Sequence, residues 1–407
     1  MHVVVIGSGI VGAGAAYHLS SRGVAVTVID GAYQGQATYA GAGIVCPWVD
    51  HPDDAAWYRL NQAGGCYYPE LIEALGEDIG YAQVGALLVA EDPADLEPVR
   101  ALLNRRKPDA PEMGEITDVH TPSALFPPLA DDLSAILVPG AARVDGLSVR
   151  DALLQAALRH GADLRTGVAT LTPDGHVLLA SDAAATAPTA VPQTEPLAQP
   201  QAGDASWRQA APTAAGAEPP PPQQAPRPTP EAGGEPVEAD LVVVAAGAWA
   251  GEVCRPLGVD LPVFPRRGQI VHATLDGVDT GFWPIVLPRS GPYLLGFPDS
   301  RVVIGATVED VGFAPRVTMG GLNEVLGAGL RVAPGLANAT VTETRVGLRP
   351  VYAPGPAVLD RLTDRVLVAT GLSAYGLTAG PFAGKVVAAM AMGETPPIDI
   401  APYAVTT

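Results

Sequence analysis

The sequence predicts an α/β protein: a parallel, nucleotide-type sheet assembled from separated segments, with a second, mainly antiparallel sheet inserted between them. Three observations carry this expectation. The first 30 residues read strand, glycine turn, helix, strand. A series of short β-rich segments divided by Pro and Gly turns follows in the second half. The C-terminal part then returns to strand, glycine turn and helix.

In chain order, Val3 to Ile6 is a short apolar strand that runs straight into glycines, so it is not expected to be a signal peptide. Ala13 to Arg22 has helical composition, Gly23 ends that helix, and Val24 to Ile29 is a second β-rich run closing on Asp30. Trp57 to Leu75 forms an amphipathic helix, Arg150 to His160 another, and Asp163 to Leu171 is strand-like. The texture then changes. Thirteen of the 41 prolines fall between Pro188 and Pro236, with Pro219 to Pro222 consecutive. Such a segment buries too little apolar surface to offset its ordering entropy, so 181–238 is expected to be a disordered or polyproline-like insertion. Order resumes at Ala239 with the run Leu241 to Gly247. Val263 to Leu275, Ile285 to Leu287, Tyr293 to Phe297 and Val302 to Thr307 read as strands, and Met319 to Leu330 as a helix. Val366 to Ala369 is a strand, Gly371 to Gly380 a glycine-rich turn and Pro381 to Met392 a helix.

Composition narrows the function classes. A chain of 407 residues, 48% hydrophobic and 16% charged, has the make-up of a globular enzyme of two or three domains. Its net charge of -19 argues against nucleic acid and anionic lipid as partners. The longest apolar runs are strand-sized, so no membrane span is expected. Cys46, Cys66 and Cys254 are few and far apart, which suits a reducing cytoplasm. The seven histidines form no metal-ligand cluster and no catalytic pair, so no metal is expected and no side chain is singled out as catalytic.

The chemistry-bearing motif is Gly7-Ser8-Gly9-Ile10-Val11-Gly12, a G-x-G-x-x-G between a strand and a helix. Gly7 permits the tight turn, Gly9 lets a pyrophosphate approach the backbone, and Gly12 permits close helix packing. The unpaired N–H groups and dipole of the following helix favour the phosphates. Asp30 at the end of the second strand is placed to accept both hydroxyls of an adenosine ribose, and would repel a 2′-phosphate. The fingerprint serves FAD and NAD alike, so it leaves both open.

Four further segments resemble the D-amino acid oxidase superfamily of FAD-dependent oxidoreductases, which includes glycine oxidase, sarcosine oxidase and D-amino acid dehydrogenase. They are Thr38 to Ile44, Ala239 to Trp249, the pair Arg267-Gly268-Gln269 and Ile304 to Thr307, and Gly347 to Pro350 followed by Gly371 to Lys385. The likeness spans residue 1 to about 393 apart from the proline-rich insertion. It implies a Rossmann-like FAD-binding domain made of 1–45, 140–180, 239–262 and 358–393, and a mainly antiparallel substrate domain made of 46–139 and 263–357. It also implies oxidation of the C–N bond of a small amino acid (a D-amino acid, glycine or an N-methyl amino acid), with dioxygen or another electron acceptor as partner.

Carried over residue by residue, Ile10, Val11, Asp30 and Gly31 would contact the ADP half of FAD, and Val168 the adenine. Ala42, Gly43 and Ile44 would approach the flavin ring, with Gly247 beside them. Gly371, Leu372, Ser373, Ala374, Tyr375, Gly376, Leu377 and Thr378 would wrap the ring and ribityl chain. Arg349 would pair bidentately with the substrate carboxylate, against the alternative of a structural ion pair with Glu343, and Arg345 is a weaker competitor for the role. Tyr375 would also reach the substrate. Non-covalent FAD is expected, because no cysteine lies in the C-terminal region where monomeric sarcosine oxidases attach flavin. Two other readings stay open at this point: a non-catalytic dinucleotide-binding protein, and a flavin amine oxidase acting on amines without a carboxylate.

Overall fold

The computed structural model describes residues 1–180 and 234–406. Its central feature is a six-stranded sheet in the order Val358–Arg361, Val366–Thr370, Leu241–Val244, His2–Ile6, Ala25–Asp30, Asp163–Thr166. All neighbours are parallel except the first pair. The strands come from four separated stretches of chain; the central ones are apolar on both faces, and strand alternation sorts their residues into two layers. Val3, Val5, Val243, Leu367 and Ala369 point into one core; Val4, Ile6, Val242, Val244, Val366 and Val368 point into the other. Helices Ile10–Ser20, Gly146–Arg159 and Gly376–Ala391 cover the first face. The small sheet Val168–Leu171, Val177–Ala180 and Glu235–Val237 covers the second.

A second sheet of eight strands runs Thr340–Tyr352, Val263–Thr274, Arg301–Gly305, Tyr293–Phe297, Ile285–Pro288, Ala86–Ala90, Ser134–Val138, Thr117–Val119. It is antiparallel apart from one parallel pair, Ile285–Pro288 with Ala86–Ala90. Helix Met319–Val332 packs on one face. The long pair Val263–Thr274 and Thr340–Tyr352 stays in register from Val263↔Tyr352 to His272↔Glu343. That register carries Gly268, Gly347 and Arg349 to the cleft between the sheets.

Three expectations need correction. Most of 181–238 lies outside the described residues, but Glu235–Val237 form a strand paired with Val177–Leu179. The C-terminal helix starts at Gly376 and not at Pro381. Helix Ala55–Leu75, expected with the second unit, buries Leu60, Tyr67, Tyr68 and Leu71 in the same core as the first helix and the C-terminal one. Its contact there is close, since a Cβ on Gly64 would sit 2.5 Å from the Thr378 carbonyl oxygen. Among the described residues no helix is long and apolar enough to cross a membrane.

Candidate functional site

The edge of the parallel sheet builds the first half of the site. Gly7 has φ +104°, and a Cβ there would lie 2.5 Å from the Ala245 carbonyl oxygen. A Cβ on Gly12 would lie 1.9 Å from the Gly7 carbonyl oxygen, so the helix can start against the turn only with glycine. Gly9, by contrast, has only the Thr38 hydroxyl within 4 Å of that position. Its backbone is therefore approachable, as the fingerprint requires. The Ile10 N–H, among the first of the helix, donates to Thr38 Oγ1 (3.1 Å). The Asp30 carboxylate is held rigidly. One oxygen accepts from the Ser8 N–H (2.8 Å) and the Ser8 hydroxyl; the other accepts from the Ala32 N–H (2.7 Å) and Gln36 Nε2 (3.2 Å).

These groups open onto a cavity of about 1660 Å³ that runs between the two sheets. It exceeds the usual range for a small ligand, about 300–1,000 Å³, and has room for an extended dinucleotide. Of the residues singled out from sequence, it is lined by Gly7, Gly9, Ile10, Val11, Asp30, Gly31, Ala42, Gly43, Ile44, Val168, Gly247, Arg349, Gly371, Leu372, Ser373, Ala374, Gly376 and Leu377. The donor set fits FAD. A bare helix N-terminus lies where a pyrophosphate would, an anchored carboxylate stands where a ribose would, and small residues line the wall where a flat ring would lie. Tyr33 and Trp249, stacked with centroids 5.2 Å apart, flank the same cavity.

Three singled-out residues do not line it. Gly12 faces the Gly7 turn. Thr378 is buried and donates its hydroxyl to the Ile44 carbonyl (3.0 Å), tying the two loops expected around the ring. Tyr375 points away from the cavity. Its hydroxyl donates to Asp50 Oδ2 (3.0 Å) and its ring stands edge-on to Trp57, which corrects its expected contacts with both flavin and substrate. The two loops belong to different sheets, one leading into Ile44–Val45, which pairs with Ala142–Arg143, and the other following strand Val366–Thr370, so no local spacing encodes their contact.

Arg349 lines the cavity from the eight-stranded sheet. Its Nη1 donates to the carbonyls of Thr307 (3.1 Å) and Arg267 (3.3 Å), and its charge lies close to the Tyr293 phenol. Burial pushes the Tyr293 phenol up, and the Arg349 charge only partly offsets that. The guanidinium lies over Gly268, where a Cβ would meet it at 2.4 Å. Arg349 has no carboxylate partner among the described residues. Glu343, the alternative partner, instead accepts from Arg345 Nη2 (2.8 Å) and the Tyr39 hydroxyl (2.8 Å). Apart from Arg255, which is paired with Glu252, Arg349 is the only Lys or Arg among the lining residues. Tyr293 was missed from sequence because no motif surrounds it; only the pairing Tyr293↔Gly305 brings it beside Arg349. Cys46 and Cys254 are buried and free, no cysteine or histidine lines the cavity, and no metal-type cluster occurs among the described residues.

Comparison with known proteins agrees with this geometry. The family model described as DAO, FAD dependent oxidoreductase, matches residues 2–192 and 199–390. The chain is 38% identical over 411 residues to the uncharacterized oxidoreductase YurR of Bacillus subtilis (strain 168), covering 98% of this chain and 97% of the relative. Among solved structures it is similar to an iminodiacetate oxidase (IdaA) from Chelativorans sp. BNC1, with TM-score 0.84 and 41% identity over 99% of this chain and 98% of the other. The glycine oxidase of Geobacillus kaustophilus shares the fold, with TM-score 0.74 and 24% identity over 99% and 98% of the two chains. The chain belongs to the DAO family of FAD-dependent oxidoreductases.

Proposed function

We propose that the chain oxidises the Cα–N bond of a small amino acid, among which we include glycine, D-amino acids and N-substituted glycines. The observation that carries this reading is Arg349: a guanidinium without a carboxylate partner among the described residues, braced on two carbonyls and close to the Tyr293 phenol, in the wall of the cavity. The 41% identity to an iminodiacetate oxidase supports it, since iminodiacetate is itself an amine carrying carboxymethyl groups.

FAD, when bound, supplies the two-electron acceptor. Gly7, Gly9, Ile10 and Val11 would hold its pyrophosphate, Asp30 its adenosine ribose, and Ala42 to Ile44 with Gly371 to Ala374, Gly376 and Leu377 its ring. Arg349 binds the substrate carboxylate through a planar fork, which also fixes the direction of the Cα–H bond. The Tyr293 hydroxyl, kept neutral by burial, orients the bound carboxylate or amine. Ile44, Ile270 and Leu372 keep water from the reacting carbon. Among the described lining residues there is no histidine or lysine, and the amine loses its proton to solvent before or on binding. The Cα hydrogen leaves with its electron pair, a C=N bond forms, and water hydrolyses the imine. Dioxygen or another acceptor takes the two electrons in a later step.

Anaerobic mixing of the yellow protein with glycine, D- and L-amino acids, sarcosine, iminodiacetate and simple alkylamines tests the reading. Bleaching of the flavin by amino acids and not by alkylamines supports it. Equal bleaching by amines without a carboxylate replaces it with a general amine oxidase, and no bleaching by any of them would leave a non-catalytic flavin-binding protein.

A further inference from the structure

Behind the cavity wall, three side chains connect the two loops expected around the flavin without lining the cavity themselves. Arg106 ends helix Glu97–Arg106 and is buried. Its Nη1 donates to the carbonyls of Trp48 (2.8 Å) and Asp50 (2.8 Å), and its Nη2 donates to that of His51 (2.8 Å). The guanidinium also lies 4.0 Å over the Tyr58 ring and has no carboxylate partner among the described residues. A buried cation spent wholly on three main-chain carbonyls is costly unless the turn it holds matters. The turn is itself unusual, because His51 has φ +49°, a left-handed conformation that a non-glycine residue adopts only when its surroundings impose it.

That turn is the direct continuation of Ala42 to Ile44, and it presents the Asp50 carboxylate to the Tyr375 hydroxyl at 3.0 Å. Tyr375 lies inside the second loop, between Ala374 and Gly376, both of which line the cavity. It is also the cap residue of helix Gly376–Ala391, whose N-terminus faces the cavity. Trp57 stacks on His51 with centroids 4.3 Å apart and meets the Tyr375 ring edge-on at 4.6 Å, so the tyrosine is packed as well as hydrogen-bonded. Burial, reinforced by the Asp50 charge, pushes the Tyr375 phenol up, which keeps it a donor at any ordinary pH.

We infer that Arg106, Asp50 and Tyr375 form a brace that sets the position of the 371–377 loop and of the helix N-terminus behind it against the flavin. They are positioning residues. None of them touches cofactor or substrate, yet flavin affinity and reduction potential depend on them. The helix N-terminus favours negative charge near it, so a slackened loop stabilises the reduced flavin less. This inference rests on the family's FAD and not on the amino-acid reading, and its test uses no substrate.

The experiment compares the full-length holoprotein with Tyr375→Phe, Asp50→Asn, the double variant and Arg106→Lys. FAD Kd is read by titrating stripped protein, together with the two-electron midpoint potential and Tm. Tyr375→Phe removes one hydrogen bond to a charged acceptor and is expected to weaken FAD binding roughly tenfold and make the midpoint more negative. The double variant should be little worse than the worse single one, because both act through the same bond. Arg106→Lys should produce the same two effects more strongly, since one ammonium cannot hold three carbonyls. If it does not fold, the Tyr375 and Asp50 variants decide the question. An unchanged Kd and midpoint in Tyr375→Phe would overturn the inference even if Tm fell, as would effects of the two single variants that simply add.

Discussion

Replacing Arg349 by alanine removes a guanidinium that the protein holds by two main-chain carbonyls, Thr307 at 3.1 Å and Arg267 at 3.3 Å. Both carbonyl bonds use Nη1. The rest of the fork, with its remaining N–H groups, is left for a substrate carboxylate. Losing that charge-assisted pair in a water-poor recess should cost transition-state binding about 3 kcal/mol, or roughly a hundredfold in kcat/KM. Arg349→Lys should recover only part of this, because an ammonium carries the charge but not the plane. The fold should lose little stability, since Arg349 has no ion pair among the described residues and the Arg267 carbonyl keeps the Glu309 N–H as donor (3.0 Å), so chiefly the Thr307 carbonyl loses a partner. The assay is steady-state kinetics on the best amino acid from the anaerobic panel, with FAD content and Tm measured on the same preparations. Normal kcat/KM with full FAD would put the carboxylate site elsewhere. Loss of FAD would show that Arg349 is structural.

The other predictions concern neighbouring features. Gly268→Ala places a methyl group 2.4 Å from the Arg349 guanidinium, so the arginine must shift, and KM should rise about tenfold with FAD retained; unchanged KM would mean the guanidinium is not held where substrate needs it. Acid precipitation should release the flavin into the supernatant, because among the described residues no cysteine or histidine lines the cavity; colour kept in the pellet would show a covalent link. His18, buried against the Tyr67 hydroxyl at 2.8 Å, has its pKa lowered to about 3, chiefly by burial and then by the charges of Lys385 and Arg22. The folded state therefore binds its proton less readily than the unfolded state. Stability is intact above about pH 6.5 and is lost as pH falls toward 3, by on the order of 3 kcal/mol at pH 4. His18→Gln should flatten that slope in a series of melts from pH 7 to pH 4; an unaltered slope would assign the acid sensitivity to other groups.

Read alone, the chain already determined the parts of this protein whose physics is local. Gly7, Gly9, Gly12 and Asp30 mark a nucleotide turn because a tight turn, a bare helix N-terminus and a strand-end carboxylate all arise within 30 consecutive residues. The continuous valine runs announced buried parallel strands for the same reason, since each strand's alternation is enough to fill both layers. The family likeness, carried by short motifs in a fixed order, also lies within the sequence.

What the tertiary structure alone decided involves residues that meet from distant parts of the chain. Tyr293 reaches Arg349 only because an antiparallel register sets it opposite Gly305, and no pattern around it reports that. Tyr375 lies within the flavin-loop motif, yet its side chain turns outward to Asp50, a residue 325 positions away. Helix Ala55–Leu75 has an amphipathic pattern that predicts a buried face but not which core receives it. Periodicity records that a side chain is to be buried or a turn made; the partner is selected by long-range packing, where shape and charge from separate segments must fit at once.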